Sequence, residues 1–346
     1  MMKYPTAMAL AMLSAAAPAA AEGPSLQGPA PSPERPAITV APGRDNASTG
    51  VLTPSGTLVI EPSVQYQHTN INTFVAGGVA ILDTVLVGNI QATQANRDAV
   101  TGTLSMRYGI TRRLESELRI PYMYRHDSVT NTLVNTNNTS ESTELRDSGL
   151  GDVEAAMHYQ INAGDDDWPI LVANLRGKSN TGQGPFDVRR DALGVPRQLA
   201  TGSGSWGIEP SLTLISASDP AVFFVNAGYL LNLGESLNRP YSSNLSITHV
   251  DPGGAIRLGM GMGIALNERI SYSIGFQEDF IGGTLTRFSD RSSFKSASLS
   301  AGTLNLGMNW QRDERTAITI TLGVGVTRDA PDASLTLRIP LSVKLY

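Results

Sequence analysis

The chain has 346 residues, of which 41% are hydrophobic and only 16% charged, with 34 glycines, 20 prolines and no cysteine. The lack of cysteine excludes disulfides, zinc-thiolate sites, iron–sulfur clusters, thiol nucleophiles and a lipid-modified cysteine. A formal net charge of −5, with no basic run, argues against nucleic acid as a partner.

The first 21 residues are predicted to be a secretory signal peptide. Lys3 supplies the positive charge, an apolar run follows from Ala7 to Ala17, and small residues continue to Ala21, just before Glu22. The apolar run is too short to anchor the chain across a bilayer, so cleavage after Ala21 is favoured.

Residues 22–55 are predicted to form a disordered tail. They contain seven prolines and no apolar period, so they cannot bury a core of their own. Two interpretations stay open: a plain periplasmic linker, or a segment that enters the following domain and plugs it in part.

From residue 56 onward the apolar pattern has a period of two. In the run 318–326 every even residue is apolar, and every odd residue is small or carries a hydroxyl. The same alternation recurs over 256–264, 270–276 and 335–345. These strands are about ten residues long or longer, whereas strands of soluble sandwiches average five or six.

The polar face of these strands mixes glycine, serine and threonine with isolated charges. In a soluble sandwich such a face would meet water, but in an outer-membrane barrel it lines the lumen while the apolar face meets lipid. We therefore predict an all-β protein whose residues 56–346 form a transmembrane antiparallel β-barrel. The expected pore-lining residues are Glu61, Arg107, Glu115, Glu117, Arg119, Asp152, Glu154, His158, Arg176, Lys178, Glu209, Arg257 and Arg338.

Alternation of short and long connections predicts twelve strands, with short turns in the periplasm and long loops outside. The short joints are expected at 111–113, 164–167, 217–220, 267–269 and 311–315, and the long loops near 128–149, 180–204, 235–251 and 283–296. Loop 180–204 is the one expected to fold inward. Residues 74–93 fit this scheme poorly: they could extend the first hairpin outward, fold over the barrel, or add two strands to make fourteen.

Opposite charges on neighbouring strands are expected to pair inside the barrel. The predicted pairs are Arg107 with Glu115 and Glu117, and Arg119 with Asp152 and Glu154. Such pairs either narrow an open pore or only neutralise charges in a barrel without an open path.

Neither a metal nor a cofactor nor a catalytic residue is predicted. The four histidines, His68, His126, His158 and His249, lack the short spacing of metal ligands. A barrel-embedded lipid hydrolase is an alternative, because such enzymes place a histidine and a nucleophilic serine two residues apart. Residues 126–128 have that separation, but no Asn-Gly turn lies beside them.

Several motifs resemble a known family of outer-membrane proteins. Residues 149–153 (GLGDV), 201–206 (TGSGSW) and 218–224 (SDPAVFF) resemble the transporters labelled as a putative meta-pathway of phenol degradation. Residues 52–58 (LTPSGTL), 119–122 (RIPY), 265–268 (ALNE) and 327–332 (TRDAPD) look like the barrel of the porin that secretes functional-amyloid subunits. The resemblance spans residues 52–346 and implies a twelve-stranded barrel that conducts or exports without enzymatic activity. The heptad repeats of that amyloid porin are absent from 22–55.

The sequence therefore predicts a porin-like channel of the bacterial outer membrane for passive transport or export through the lumen. A secretion channel for an amyloid-like peptide is the first alternative, and the lipid hydrolase is the second. The expected partners are outer-membrane lipid and lipopolysaccharide, the barrel assembly machinery, and either a small aromatic or hydrophobic solute or a secreted unfolded peptide.

Overall fold

The computed structural model describes residues 51–75, 90–134, 139–162, 168–189, 197–218, 220–242, 245–313 and 316–345. Within these ranges no helix has the length and apolar character needed to cross a membrane. The predicted signal peptide and all but the last five residues of the predicted tail lie outside the described residues.

The described chain forms eighteen β-strands. They are β1 (Thr57–Val75), β2 (Ile90–Thr111), β3 (Leu114–Val134), β4 (Thr139–Leu150), β5 (Glu154–Gln160), β6 (Ile170–Lys178), β7 (Gly207–Ser218), β8 (Ala221–Asn232), β9 (Glu235–Ser242), β10 (Leu245–Asp251), β11 (Ala255–Ala265), β12 (Ile270–Ile281), β13 (Leu285–Phe288), β14 (Ser293–Lys295), β15 (Leu299–Gln311), β16 (Ala317–Gly325), β17 (Ala333–Arg338) and β18 (Leu341–Lys344).

Fourteen of these strands close into an antiparallel barrel of twelve staves. Two staves are interrupted: β4 and β5 both pair with β3, and β17 and β18 both pair with β1. Ser63 stands opposite Arg338, and Thr57 stands opposite Lys344, so the first stave closes against the last. The predicted twelve-stranded barrel is confirmed.

The surface of the barrel is inverted relative to a soluble protein. On β16, Leu322 is 42% exposed while the neighbouring Thr321 is only 4% exposed. This alternation continues around the barrel, with exposed apolar side chains outside and buried polar side chains inside. Such an exterior suits lipid and not water.

Exposed aromatic side chains lie in two groups on the outside. One group lies near the barrel end with the short connections, which we call the turn end, and the other lies toward the opposite loop end. The turn-end group is Tyr159, Trp168, Phe223, Tyr272 and Trp310, and the loop-end group is Tyr66, Tyr122, Tyr124, Trp206, Tyr229 and Phe280. Paired aromatic girdles mark the two interfaces of a membrane-spanning barrel.

The connections differ from the sequence prediction mainly at the loop end. Residues 128–149, expected to be a loop, largely continue the β3–β4 hairpin, whose pairing extends to Leu133 and Thr139. Pairing satisfies backbone polar groups that a loop would leave to water. The first hairpin likewise extends outward, since Val75 pairs with Gln91, while residues 76–89 lie outside the described residues.

A second small sheet lies at the loop end. Its order is β14-β13-β10-β9, and it is built from segments 235–251 and 283–296, which were expected to be plain loops. Ile247, Val250 and Phe288 form its buried core, and Phe186 from segment 180–204 packs against that core. We call this sheet the cap. Its strands have only three to eight residues and come from two separate stretches of the chain, so they gave no clear period in the sequence.

Candidate functional site: the charged barrel interior

Alternation on β3 positions the first charges of the interior. Glu115, Glu117 and Arg119 are all less than 9% exposed, whereas Leu118 between them is 37% exposed on the outside. The twofold period of an extended strand puts the three charges on one face. Because the barrel is closed, that face is its interior.

Seven of the interior charges form a continuous series of ion pairs, which we call the ion-pair chain. Its members alternate in sign from β3 to β12: Glu117, Arg119, Glu154, Arg176, Glu209, Arg257 and Asp279. Five of its six N–O distances run from 3.0 Å, between Arg257 and Glu209, to 3.5 Å. Each buried charge therefore has opposite charges beside it, as burial requires.

Arg176 is the centre of the ion-pair chain. Its Nη1 donates to Glu154 Oε2 at 3.1 Å, and its Nη2 donates to Glu209. Arg257 then donates from Nη1 to the same Glu209 oxygen. The planar guanidinium presents several donors in fixed directions, which suits arginine to bridge two carboxylates.

Gly228 on β8 allows the ion-pair chain to cross a strand without a charge. It stands opposite both Ser211 on β7 and Arg257 on β11. A Cβ at this position would lie 2.7 Å from Ser211 Cβ and 3.2 Å from Glu209 Oε1. The missing side chain leaves the space through which Arg257 reaches Glu209.

His158 joins the same network from β5. One ring nitrogen lies 3.1 Å from Glu117 Oε2, and the other lies 2.7 Å from Asn174 Oδ1. These contacts put the side chain of His158 on the inner side of β5.

Asp152 is placed differently from its prediction. It lies between β4 and β5 and accepts hydrogen bonds from Gly182 N at 3.1 Å, from Ser203 N at 2.7 Å and from Ser203 Oγ at 2.6 Å. Lys178 donates to the same Ser203 hydroxyl at 2.5 Å. Asp152 thus holds segment 180–204, while Arg119 pairs with Glu154 at 3.5 Å.

The predicted partners of Arg107 also differ in the structure. Arg107 Nη2 donates to Glu61 Oε2 on β1 at 3.1 Å. Glu115 accepts a hydrogen bond from the backbone N–H of Thr53 at 2.7 Å. Thr53 lies before β1, where the sequence shows no strand period. The prediction therefore missed that its N–H, and not Arg107, would bind Glu115.

Arg338, the last predicted interior residue, is 5% exposed on β17. It stands opposite Ser63 on one side and Thr319 on the other. Twelve of the thirteen predicted residues lie on the inner face of the strands, and Asp152 lies in the connection between β4 and β5. Some of the twelve belong to the ion-pair chain, and the others lie beside it.

Interior charges that the sequence prediction missed include Arg97, Arg125, Asp127, Asp147 and Asp279. Arg125 is 1% exposed and contacts Asp127 through two hydrogen bonds of 2.8 and 2.5 Å, while Arg97 Nε reaches the same carboxylate at 3.2 Å. Asp279 completes the ion-pair chain. Arg125 and Asp127 continue the odd-numbered phase of Glu115 to Arg119, so the alternation itself could have identified them.

Segment 180–204 does fold inward in its described parts, 180–189 and 197–204. Leu199 and Ala200 are 1% and 2% exposed, and Arg125 Nη1 donates to the carbonyl of Ala200 at 3.2 Å. Gly182 and Gly202 approach so closely that a Cβ on Gly182 would lie 2.6 Å from the Cα of Gly202. Glycines at both positions permit the two arms of the segment to stack.

The remaining histidines have separate surroundings. His68 contacts Asp98 at 2.8 Å, His126 lies 3.8 Å from Glu144, and His249 lies 3.3 Å from Ser236. No group of three potential metal ligands occurs among the residues that the structure describes.

Comparison with known proteins supports the fold. The sequence matches no family model. Among solved structures, the COG4313 outer membrane channel from Pseudomonas putida F1 is similar at 15% identity and a TM-score of 0.54, covering 87% of this chain and 100% of that one. A FadL homologue of Pseudomonas aeruginosa is 7% identical over 84% of this chain and 91% of that chain, with a TM-score of 0.40. The toluene transporter TodX of Pseudomonas putida is 9% identical over 85% and 90%, with a TM-score of 0.37.

The closed barrel, its lipid-compatible exterior and its paired aromatic girdles define an outer-membrane β-barrel. The protein is located in the bacterial outer membrane. At 15% identity, the similarity to the COG4313 channel shows a common fold and no more than that.

Proposed function

We propose that the protein is a channel for passive transport across the outer membrane through the barrel lumen. The observation that carries the proposal is the interior itself, where ion pairs, amides and hydroxyls take the place of a close-packed apolar core. A polar interior in a closed barrel is the arrangement of water-filled channels.

The predicted interior set provides the pore-lining residues in this proposal. The ion pairs hold the charged side chains in fixed positions along the inner wall. Segment 180–204 occupies part of the cross-section of the lumen. Solutes would pass between this segment and the inner faces of β12, β15 and β16, on which Asp279 is the one charge among the described residues. Those faces carry small or amide side chains such as Ser273, Asn305 and Thr321.

The resemblance of residues 52–346 to the phenol-degradation transporters makes a small aromatic or hydrophobic solute our proposed cargo. Secretion of an amyloid-like peptide is the alternative cargo, based on the likeness of four motifs to the amyloid-secreting porin. The two cargoes require different lumen widths. An unfolded peptide could pass only if segment 180–204 moved out of the lumen, whereas a small solute could pass beside it.

We also propose that the predicted tail, residues 22–55, enters the turn end of the barrel. The support is the contact between Thr53 and the interior carboxylate of Glu115. Gly109 permits this approach, because a Cβ there would lie 2.2 Å from the Pro54 carbonyl oxygen. Deletion of residues 23–47 is then expected to raise conductance, and an unchanged conductance would leave the tail as a linker.

Single-channel recording of the purified mature protein in a planar bilayer tests the proposed function. We expect discrete conductance steps, and uptake of small uncharged solutes by liposomes that contain the protein. A folded barrel, verified by heat-modifiable mobility on a gel, that gives neither conductance nor uptake would refute passive transport. Release of fatty acid from phospholipid by the same sample would instead indicate the hydrolase.

A further inference from the structure

One aromatic side chain on the inner face of the barrel is not part of the charged network. On β8 the odd-numbered residues face outward, and Phe223 is 46% exposed there. Phe224 therefore faces inward, three residues into the strand from its turn end. Among the inward-facing strand positions that the structure describes, no other is aromatic.

Phe224 lies flat against the wall over two glycines. It stands opposite Gly261 on β11, which in turn stands opposite Gly275 on β12. A Cβ built on Gly261 would be 2.5 Å from the Cζ atom of Phe224, and one built on Gly275 would be 3.6 Å from it. The ring thus covers the backbone of β11 and β12 at these two glycines.

The apolar surface continues on the other side of Phe224. Ile215 on β7 stands opposite Phe224, and Ile170 on β6 stands opposite Ile215. Ile215 is 5% exposed, and nearby Val172 is 3% exposed. Polar side chains return at Asn305, which stands opposite Gly275.

These residues form a cross-strand row, Ile170–Ile215–Phe224–Gly261–Gly275, that offers no polar side chain on five adjacent staves. We call it the apolar row. It lies near the turn end, while the ion-pair chain crosses the same staves nearer the loop end, where Arg176 and Glu209 lie. A solute that crosses the barrel would meet both surfaces in succession.

We propose that Phe224 is a selectivity element of the channel, which admits uncharged solutes of low polarity more readily than hydrated ions. This inference rests on the proposed transport function. An apolar wall offers no replacement for the water molecules around an ion, so the ion crosses it at a cost that a neutral solute avoids. The ring extends this wall over β11 and β12, whose glycines would otherwise expose peptide groups.

The same contacts could instead serve only to stabilise the sheet, because an aromatic ring over a cross-strand glycine supports strand pairing. The two roles make different predictions. A structural role changes barrel stability and leaves the selectivity of the open channel unaltered, whereas a selectivity role changes which solutes pass.

Conductance of the full mature chain in potassium chloride separates the two roles. We expect Phe224→Ala to raise single-channel conductance at least about twofold, because it exposes the peptide groups of Gly261 and Gly275 to the lumen. Phe224→Leu, which stays apolar, should remain closer to wild type. Phe223→Ala makes the same chemical change one residue away on the outer face and is the matched control.

Swelling of liposomes that contain the protein gives a second readout. Wild type should take up an uncharged sugar faster than a charged sugar acid of the same size, and Phe224→Ala should reduce that preference. A conducting wild type whose conductance and preference are unchanged by Phe224→Ala would overturn the inference and leave the transport function standing. Equal wild-type rates for the two sugars would also overturn it, even if the variant failed to fold. If wild type and every folded variant show neither conductance nor swelling, both the selectivity role of Phe224 and the transport function are refuted.

Discussion

Ser203 donates both its backbone N–H and its hydroxyl to Asp152, at 2.7 and 2.6 Å, and so fixes one arm of segment 180–204 to the barrel wall. Gly182, on the other arm, donates its N–H to the same carboxylate at 3.1 Å. One side chain therefore holds both arms.

Asp152→Ala should release this segment. The change removes three hydrogen bonds to a carboxylate, which are stronger than bonds between neutral groups. We expect higher and noisier single-channel conductance, and faster protease cleavage within 180–204 on intact cells. The control is Asp251→Ala, an equivalent change at an exposed position of the cap. Identical recordings for the two variants would contradict a restraining role of Asp152.

A disulfide between the segment and the wall should have the opposite effect. A Cβ built on Gly149 lies 3.9 Å from Thr201 Cβ, within the 3.5–4.5 Å that a disulfide requires. The native chain contains no cysteine, so the pair Gly149→Cys and Thr201→Cys reacts without competitors. We expect the oxidised form to give low, quiet conductance that rises when dithiothreitol is added.

Each single-cysteine variant controls for the substitution itself. If the oxidised pair, confirmed by mass spectrometry, conducts like its reduced form, movement of the segment does not limit the current.

Arginine placed on opposite faces of β16 tests the membrane register. Leu322→Arg puts a charge on the lipid face, which costs about 2–4 kcal/mol near the bilayer midplane. Thr321→Arg points into the lumen, where Gly307 and Gly323 leave room. We expect the first variant to be lost from the outer membrane and the second to assemble, as followed by heat-modifiable mobility of membrane fractions. Equal assembly of both would show that the faces are assigned incorrectly.

Removal of the central arginine should destabilise the barrel. Arg176→Met leaves Glu154 and Glu209 buried with one fewer cation each, and breaking a buried pair in this way costs about 3 kcal/mol. Arg146→Met breaks a pair with Glu144 in which both side chains are more than 60% exposed, so it should cost under about 1 kcal/mol. Urea unfolding in detergent micelles measures both variants, and equal midpoints would argue against a stabilising ion-pair chain.

The barrel was predictable from the sequence because lipid outside and polar groups inside impose a strict period of two. Leu322 and Thr321 show why, because the lipid face disfavours polar side chains and the inner face disfavours apolar ones. The partners of the interior charges were less predictable, since Arg107 had carboxylates on both neighbouring strands. It stands directly opposite Glu117 on β3, yet its guanidinium donates to Glu61, two residues from its register partner Val59 on β1.

The cap and the role of Asp152 were not predictable in this way. β13 and β14 have four and three residues, too few for a period, and β13 pairs with β10, which lies far from it in sequence. Asp152 lies where the β4–β5 stave is interrupted, so alternation assigned it to the wall although its contacts are with segment 180–204. Interruptions of this kind depend on tertiary contacts that a strand period does not encode.

Closure of the first stave against the last has a consequence for the order of folding. β1 finds β17 and β18 only after all the intervening strands exist, so this pairing is the least local contact of the barrel. Contacts between distant chain segments form slowly. Until then β1 and the last stave, β17 with β18, each present an unpaired edge, which is a template for aggregation with other chains. The period between synthesis and closure is therefore when this protein depends most on being kept apart from its own copies.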